Sequence, residues 1–190
     1  MYEKFKSDEK EKLVKKEPQK KQFTQLFDEE QTEIKRLNLD DVEDAVKVMR
    51  RCAFDVTEKE VEYIVKYGFS FGCYVNRMIV GVGLAWPTYY DPRERVLRGG
   101  DANALYLEDP AVLLTYEGRG IRRILVRSRE KDARAKQLKY ALTYVTEDLP
   151  KGSVDDYIKE RSSQLEKLYQ SEDYQFYKSD RGLLAMKELA

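Results

Sequence analysis

The sequence predicts an α/β fold, a mostly antiparallel sheet with helices packed on it, and three observations carry that prediction. Residues 111–125 run from an apolar stretch through Gly118 and Gly120 into apolar residues at helical spacing, Ile121, Ile124, Leu125 and then Ala135. Residues 71–75 and 78–86 are aromatic and β-branched runs on either side of Asn76-Arg77, the pattern of a hairpin. Thr57 stands three residues before Glu60 and ahead of Val61, Ile64 and Val65, which is a capping box followed by a helical stripe.

The elements follow in order. Residues 32–37 alternate polar and apolar side chains, as a first strand would. Asn38 or Asp40 then caps a helix carrying Val42, Ala45, Val46, Met49 and Ala53 on one face. The helix begun at Thr57 stops near Gly68. After the hairpin, whose second strand is bared by Gly81 and Gly83, residues 87–103 read as a long polar loop, either a functional binding segment or a disordered insertion. Residues 104–113 form the central strand, and Pro110 inside it requires a bulge or a splayed pair because proline cannot donate to a ladder. Residues 138–145 are another strand. Ser153 with Asp156 caps one last helix using Ile158, Leu165 and Leu168, and residues 174–178 and 183–187 are two closing strands. This makes about six to seven strands and about four helices.

A chain of 190 residues suits one domain with a proper core, and residues 31–190 are assigned to it. Residues 1–30, with eight lysines against eight acids, read as a charged extension, disordered or helical, that the domain does not need for ligand binding. No apolar run is long enough for a membrane span and no leader pattern is present, so a cytoplasmic protein without membrane partner is expected. The chain has no histidine, which removes Ser-His-Asp and Cys-His catalysis and most zinc sites. Proton transfer falls to carboxylates, tyrosines, lysines or water. Cys52 and Cys73 have no metal-ligand spacing and read as two buried thiols, with a single bridge between them left open; no metal site is expected.

The strand–glycine turn–helix at residues 111–125 is the chemical centre. A helix that starts from a glycine turn aims unpaired N–H groups and its positive end into the turn, and an anion is favoured there. The formally neutral chain concentrates cations at this place: Arg119, Arg122, Arg123, Arg127, Arg129, Lys131, Arg134, Lys136 and Lys139 against Glu117, Glu130 and Asp132. That pattern suits a polyphosphate, or else a solvated basic helix.

Residues 105–123 resemble motif A of the GNAT superfamily, the acyl-CoA-dependent N-acyltransferases, in which Arg/Gln-x-x-Gly-x-Gly/Ala wraps the coenzyme A pyrophosphate. Its six positions are Glu117, Gly118, Arg119, Gly120, Ile121 and Arg122; Gly120 holds the pattern while Glu117 and Arg122 depart from it. Leu165-Glu166-Lys167-Leu168-Tyr169, followed by Tyr174-Gln175-Phe176, resembles the closing helix and strand of the same family, so the likeness spans residues 32–187.

The resemblance implies a sheet splayed at the central strand, with Ala111, Val112 and Leu113 pairing with the pantetheine arm. Glu117, Gly118, Arg119, Gly120, Ile121, Arg122 and Arg123 would surround the pyrophosphate. It implies an N-acetyltransferase that moves the acetyl group of acetyl-CoA, its co-substrate, to a primary amine by direct attack in a ternary complex. Tyr169 would protonate the leaving thiolate. Glu108, on the same strand face as Tyr106, would serve as base. The other reading is a non-catalytic protein that binds acyl-CoA or a partner through the same fold. Nucleic acid is not an expected partner, since charge is mixed outside the basic helix; a homodimer is compatible with the sequence.

Overall fold

The computed structural model describes residues 31–147, 149–161 and 163–189, so the expectations for residues 1–30 lie outside the described residues. The strands are β1 (Thr32–Arg36), β2 (Phe71–Val75), β3 (Met78–Gly83), β4 (Ala85–Asp91), β5 (Val96–Arg98), β6 (Ala104–Leu107), β7 (Ala111–Val112), β8 (Tyr140–Thr146), β9 (Gln175–Ser179) and β10 (Gly182–Glu188). The helices are α1 (Val42–Arg51), α2 (Glu58–Tyr67), α3 (Ile121–Ala135), α4 (Val154–Arg161) and α5 (Gln164–Ser171).

Local chemistry explains most of these boundaries. Asn38 caps a single 3-10 turn, Leu39–Asp41, that leads into α1, with Asp41 bonding back to complete the box. Ala53 lies past the end of α1 with φ 66°, off the helix to which its spacing assigned it. Thr57 and Glu60 cap α2 as expected. Asn76 and Arg77 turn the β2–β3 hairpin with φ of 49° and 68°, the paired positive values of a tight two-residue turn. One last helix was expected; there are two, because Ser163 opens its own capping box with Glu166 and restarts the helix as α5.

Ten strands among the described residues form two sheets, β1-β2-β3-β7 and β5-β4-β6-β8-β10-β9. Only β6 and β8 pair in parallel, Ala104 to Tyr106 against Tyr140 to Leu142. The long loop expected at residues 87–103 is not one. Its first part continues β4 through Pro87 to Asp91, and β5 folds back on it with Tyr89 opposite Arg98. Pro87 is tolerated within the strand although β4 has neighbours on both sides; aromatic packing at Trp86, Tyr89 and Tyr90 outweighs the polar composition of the segment.

The chain crosses between the sheets three times, at Leu84 between β3 and β4, at residues 108–110 between β6 and β7, and through α3 between β7 and β8. The central strand is thus broken where Pro110 demanded it. β7 stays with β3, through Gly81 opposite Val112, while β8 stays with β6 and β10. β7 and β8 therefore part company beyond the break, and the two sheets open a splay. Helix α3 packs over β2 and β3 with Ile121 and Leu125 against Cys73, Val80 and Val112. Each side chain of this size contributes about 1.5–3 kcal/mol on burial. A Cβ on Gly81 would come within 2.9 Å of Ile121, so the bare face of β3 is what allows α3 to sit so close. Ile124 and Ala135, assigned to the apolar stripe of this helix, are exposed instead, and Val126, Arg129 and Ala133 take the buried positions.

Candidate active site

Three groups of residues meet at the splay. The first is the glycine turn. Gly118 and Gly120 have φ of 77° and 78°, a region that other residues enter only with strain. A Cβ at either would meet nothing within 4 Å, so the turn presents bare backbone outward. No side chain caps α3 at Gly120, and the first N–H groups of the helix keep their anion-binding capacity.

The two residues that break the motif bond to each other. Arg122 donates to Glu117 through Nε (3.0 Å) and Nη2, and its Nη1 donates to the Pro110 carbonyl at 2.8 Å. The cation of the motif has moved five residues along the chain and stands at the same turn, held by the acid that took its place. Arg119 stacks over Tyr116 at 4.8 Å. The other helix cations are largely committed: Arg123 and Arg127 pair with the buried Glu172 at 2.8 and 2.7 Å, and Arg134 pairs with Glu130. Arg123, assigned to the pyrophosphate by sequence, faces α5 through Glu172 and Ser171. The basic character of the helix is thus mostly structural.

The second group is the edge of β7. Leu113 donates its N–H to the Val80 carbonyl, and antiparallel alternation then turns the polar groups of Val112 away from β3. The Cys52 thiol, at the end of α1, donates to the Val112 carbonyl at 3.2 Å. Cys52 is half-buried rather than buried, and both cysteines are free thiols.

The third group lies at the break itself. Arg129 is fully buried, and its Nη1 donates to the carbonyls of Leu84 (2.6 Å) and Glu108 (2.7 Å), at two of the three points where the chain changes sheets. Its guanidinium needs the bare Gly83, whose Cβ would stand 3.0 Å from Nε. Arg129 Nη2, Asp109 Oδ1 and the Tyr169 hydroxyl are buried and have no hydrogen-bond partner among the described residues. Such groups cost about 1–3 kcal/mol each and mark places built for another purpose. Burial, with Glu108 beside it, pushes the Asp109 carboxyl up to about 7. Burial also raises the Glu108 carboxyl and lifts the Tyr169 phenol well above its ordinary range.

Successive residues point to opposite sides, and this separates the two acids. Asp109 turns toward Arg129, Arg122 and Tyr169. Glu108 lines a cleft of about 520 Å³ whose other walls include Trp86, Tyr106, Tyr144, Arg98 and Arg181. Trp86 and Tyr106 stack at 4.6 Å to form its floor. A larger depression of about 670 Å³ at Leu149–Glu160 shares no lining residue with this cleft. Among the described residues no group of acids and cysteines could hold a metal ion, and no helix is long and apolar enough to cross a membrane.

The sequence pointed to Tyr169, Glu108 and the turn but missed Asp109 and Arg129 as members of the site. Arg129 carried a readable signal: it falls four residues after Leu125 and eight after Ile121, inside the apolar stripe. An arginine there must be either misplaced or employed.

No protein-family model and no curated protein matches the sequence. Solved structures do. The GphF GNAT-like decarboxylase in complex with isobutyryl-CoA overlays with a TM-score of 0.67 at 12% identity, covering 83% of this chain and 100% of that one. The loading GNATL domain of CurA from Lyngbya majuscula gives 0.65 at 12% identity, over 84% and 98%. A GNAT-family acetyltransferase from Streptococcus pneumoniae gives 0.61 at 16% identity, over 84% and 100%. The chain therefore has the GNAT fold, as its motif A and closing helix implied.

Proposed function

We propose that the protein is an acyl-CoA-dependent N-acyltransferase that transfers acetyl from acetyl-CoA to a primary amine by direct attack in a ternary complex. The observation that carries this reading is the splay itself, with the bare glycine turn at one end and three unpaired buried polar groups at its break. The backbone of Val112 would take the pantetheine arm. The turn at Gly118, Arg119, Gly120 and Ile121 would take the pyrophosphate, with Arg122 as its cation. A GNAT-like structure with isobutyryl-CoA bound supports use of an acyl-CoA.

The chemistry assigns one role to each side of the broken strand. An alkylamine has a pKa of about 10.4 and arrives protonated, so it must lose a proton before its nitrogen attacks the thioester carbon. Glu108, raised by burial in the acceptor cleft, accepts that proton. Collapse of the tetrahedral adduct breaks the carbon–sulfur bond, and Tyr169 gives its proton to the departing thiolate. Burial that raises the phenol raises a thiolate beside it in the same way, so the two stay matched for transfer.

Calorimetric titration with acetyl-CoA tests the donor site, and thiol release over a panel of amines tests turnover. Gly120→Val is expected to weaken acetyl-CoA binding at least about tenfold, on the order of 1.4 kcal/mol. Unchanged affinity in a folded variant would remove the phosphate site. The second reading, a non-catalytic acyl-CoA-binding protein, is favoured by the Glu117–Arg122 pair. It requires binding without thiol release for any amine.

A further inference from the structure

The cleft in front of Glu108 combines three chemistries. Its lining is aromatic, with Trp86 and Tyr106 at 4.6 Å and Tyr106 and Tyr144 at 6.4 Å, each pair tilted. Its one carboxylate is Glu108, and its two cations are Arg98 and Arg181. Arginines at a surface usually belong to nearby acids, and each of these has one: Asp91 at 3.9 Å and Asp180 at 3.8 Å.

Both distances, to the Oδ2 of each acid, are at the limit of an ion pair, and the other oxygen of each acid is held within its own turn. Asp91 Oδ1 accepts the backbone N–H groups of Arg93 (2.9 Å) and Glu94 (3.2 Å) in the β4–β5 turn. Asp180 Oδ1 accepts from the Ser179 hydroxyl at 2.8 Å and the Tyr144 hydroxyl at 3.2 Å. The same bonds hold both carboxyls below their ordinary range. Each acid thus shapes a turn that presents an arginine, and gives that arginine only weak company. The two turns meet at the Ser179 hydroxyl, whose one proton is shared between Asp180 Oδ1 and the Arg95 carbonyl, each at 2.8 Å.

We propose that the acceptor is a small primary amine that carries its own carboxylate on an apolar or aromatic body, an amino acid or a close relative. The proposal rests on the acyl-transfer reading above and narrows its acceptor. The amine faces Glu108, the body lies on Trp86 and Tyr106, and the carboxylate takes the guanidinium groups of Arg98 and Arg181. Arginine presents a planar fork matched to a carboxylate, so a free carboxylate gains charge-assisted bonds that Asp91 and Asp180 do not supply. A cleft of about 520 Å³ has room for a molecule of that size. The same rim rejects polycations, because each further ammonium group would approach an arginine.

Trp86 is the only tryptophan in the chain, and it lines this cleft, so its fluorescence reports acceptor binding with or without turnover. The full chain is titrated with L-phenylalanine, L-methionine and L-leucine, each beside its amide and its decarboxylated amine, and with spermidine. The free acids are expected to change Trp86 emission at least about tenfold more tightly than their amides or decarboxylated amines, with spermidine silent. Arg98→Ala and Arg181→Ala, both at exposed side chains, should erase the preference for the acid. Neither should change acetyl-CoA affinity measured by calorimetry. Equal or tighter binding of the amides or of spermidine overturns the proposal, as does an unchanged preference in both variants. An intact preference without thiol release upholds the acceptor class and sinks the acyl-transfer reading instead.

Discussion

At the scale of single residues, the break in the central strand sets two acids one position apart in different surroundings, and a phenol from α5 faces one of them. Tyr169 is fully buried, with its ring edge-on to Tyr174 at 5.0 Å. Tyr169→Phe keeps that packing and deletes the acid. Turnover should fall by roughly 10²-fold or more with acetyl-CoA affinity nearly unchanged, because the hydroxyl acts as charge develops on sulfur. Full activity in Tyr169→Phe would return the residue to the core.

Asp109 makes a prediction of the opposite kind. Its carboxyl lies near 7 in the folded chain against 3.8 as its ordinary value, so between these the folded state holds a proton that the unfolded state has lost. Stability then falls as pH rises through that window, and the loss is complete above about 7. Asp109→Asn removes the penalty. The variant should melt higher than the parent at pH 8, by about 2–4 °C for each kcal/mol recovered, and no higher at pH 3.5. Its pH–rate profile should also lose the ionisation near 7. A lower melting temperature at pH 8 would show that Asp109 is paired rather than strained. A site residue whose removal stabilises the fold fits a group kept for function.

At the scale of elements, the sequence was most informative where local chemistry decides. The capping box of Thr57 and Glu60, the turn at Asn76-Arg77 and the interruption at Pro110 all stand where residue types alone put them. It was least informative where distant packing decides. Nothing in the polar composition of residues 87–98 announces that Trp86, Tyr89 and Tyr90 hold a hairpin onto β6, and that hairpin forms one wall of the cleft in front of Glu108. The cluster of cations on α3 looked like a ligand site, and Glu172, far along the chain, takes Arg123 and Arg127 from it as scaffold.

The edge of β7 offers a direct test of where the donor lies. The Cys52 thiol bonds the one carbonyl of that edge that points into the splay, whereas Cys73 is fully buried beneath α3. Iodoacetamide should therefore modify Cys52 and spare Cys73. Acetyl-CoA at ten times its Kd should slow that modification about tenfold, because labelling then follows the free fraction. Equal rates with and without acetyl-CoA would put the pantetheine arm elsewhere.

At the scale of the whole molecule, one guanidinium joins two regions that are separate in every other respect. Arg122 holds Glu117 at the pyrophosphate turn and the Pro110 carbonyl at the strand break. A diphosphate arriving at the turn competes with Glu117 for this group. Were Arg122 to swing toward such a ligand, the Pro110 carbonyl would lose its donor, and residues 108–110, Glu108 among them, would be free to resettle. Under the proposed acyl transfer, occupancy of the turn would then be read at Glu108 through a single side chain, and the expected order is donor first, acceptor second. Steady-state kinetics would register it as an acceptor-site dead-end inhibitor that is uncompetitive against acetyl-CoA, and Glu117→Gln, by freeing Arg122 beforehand, would relax that compulsion toward random order.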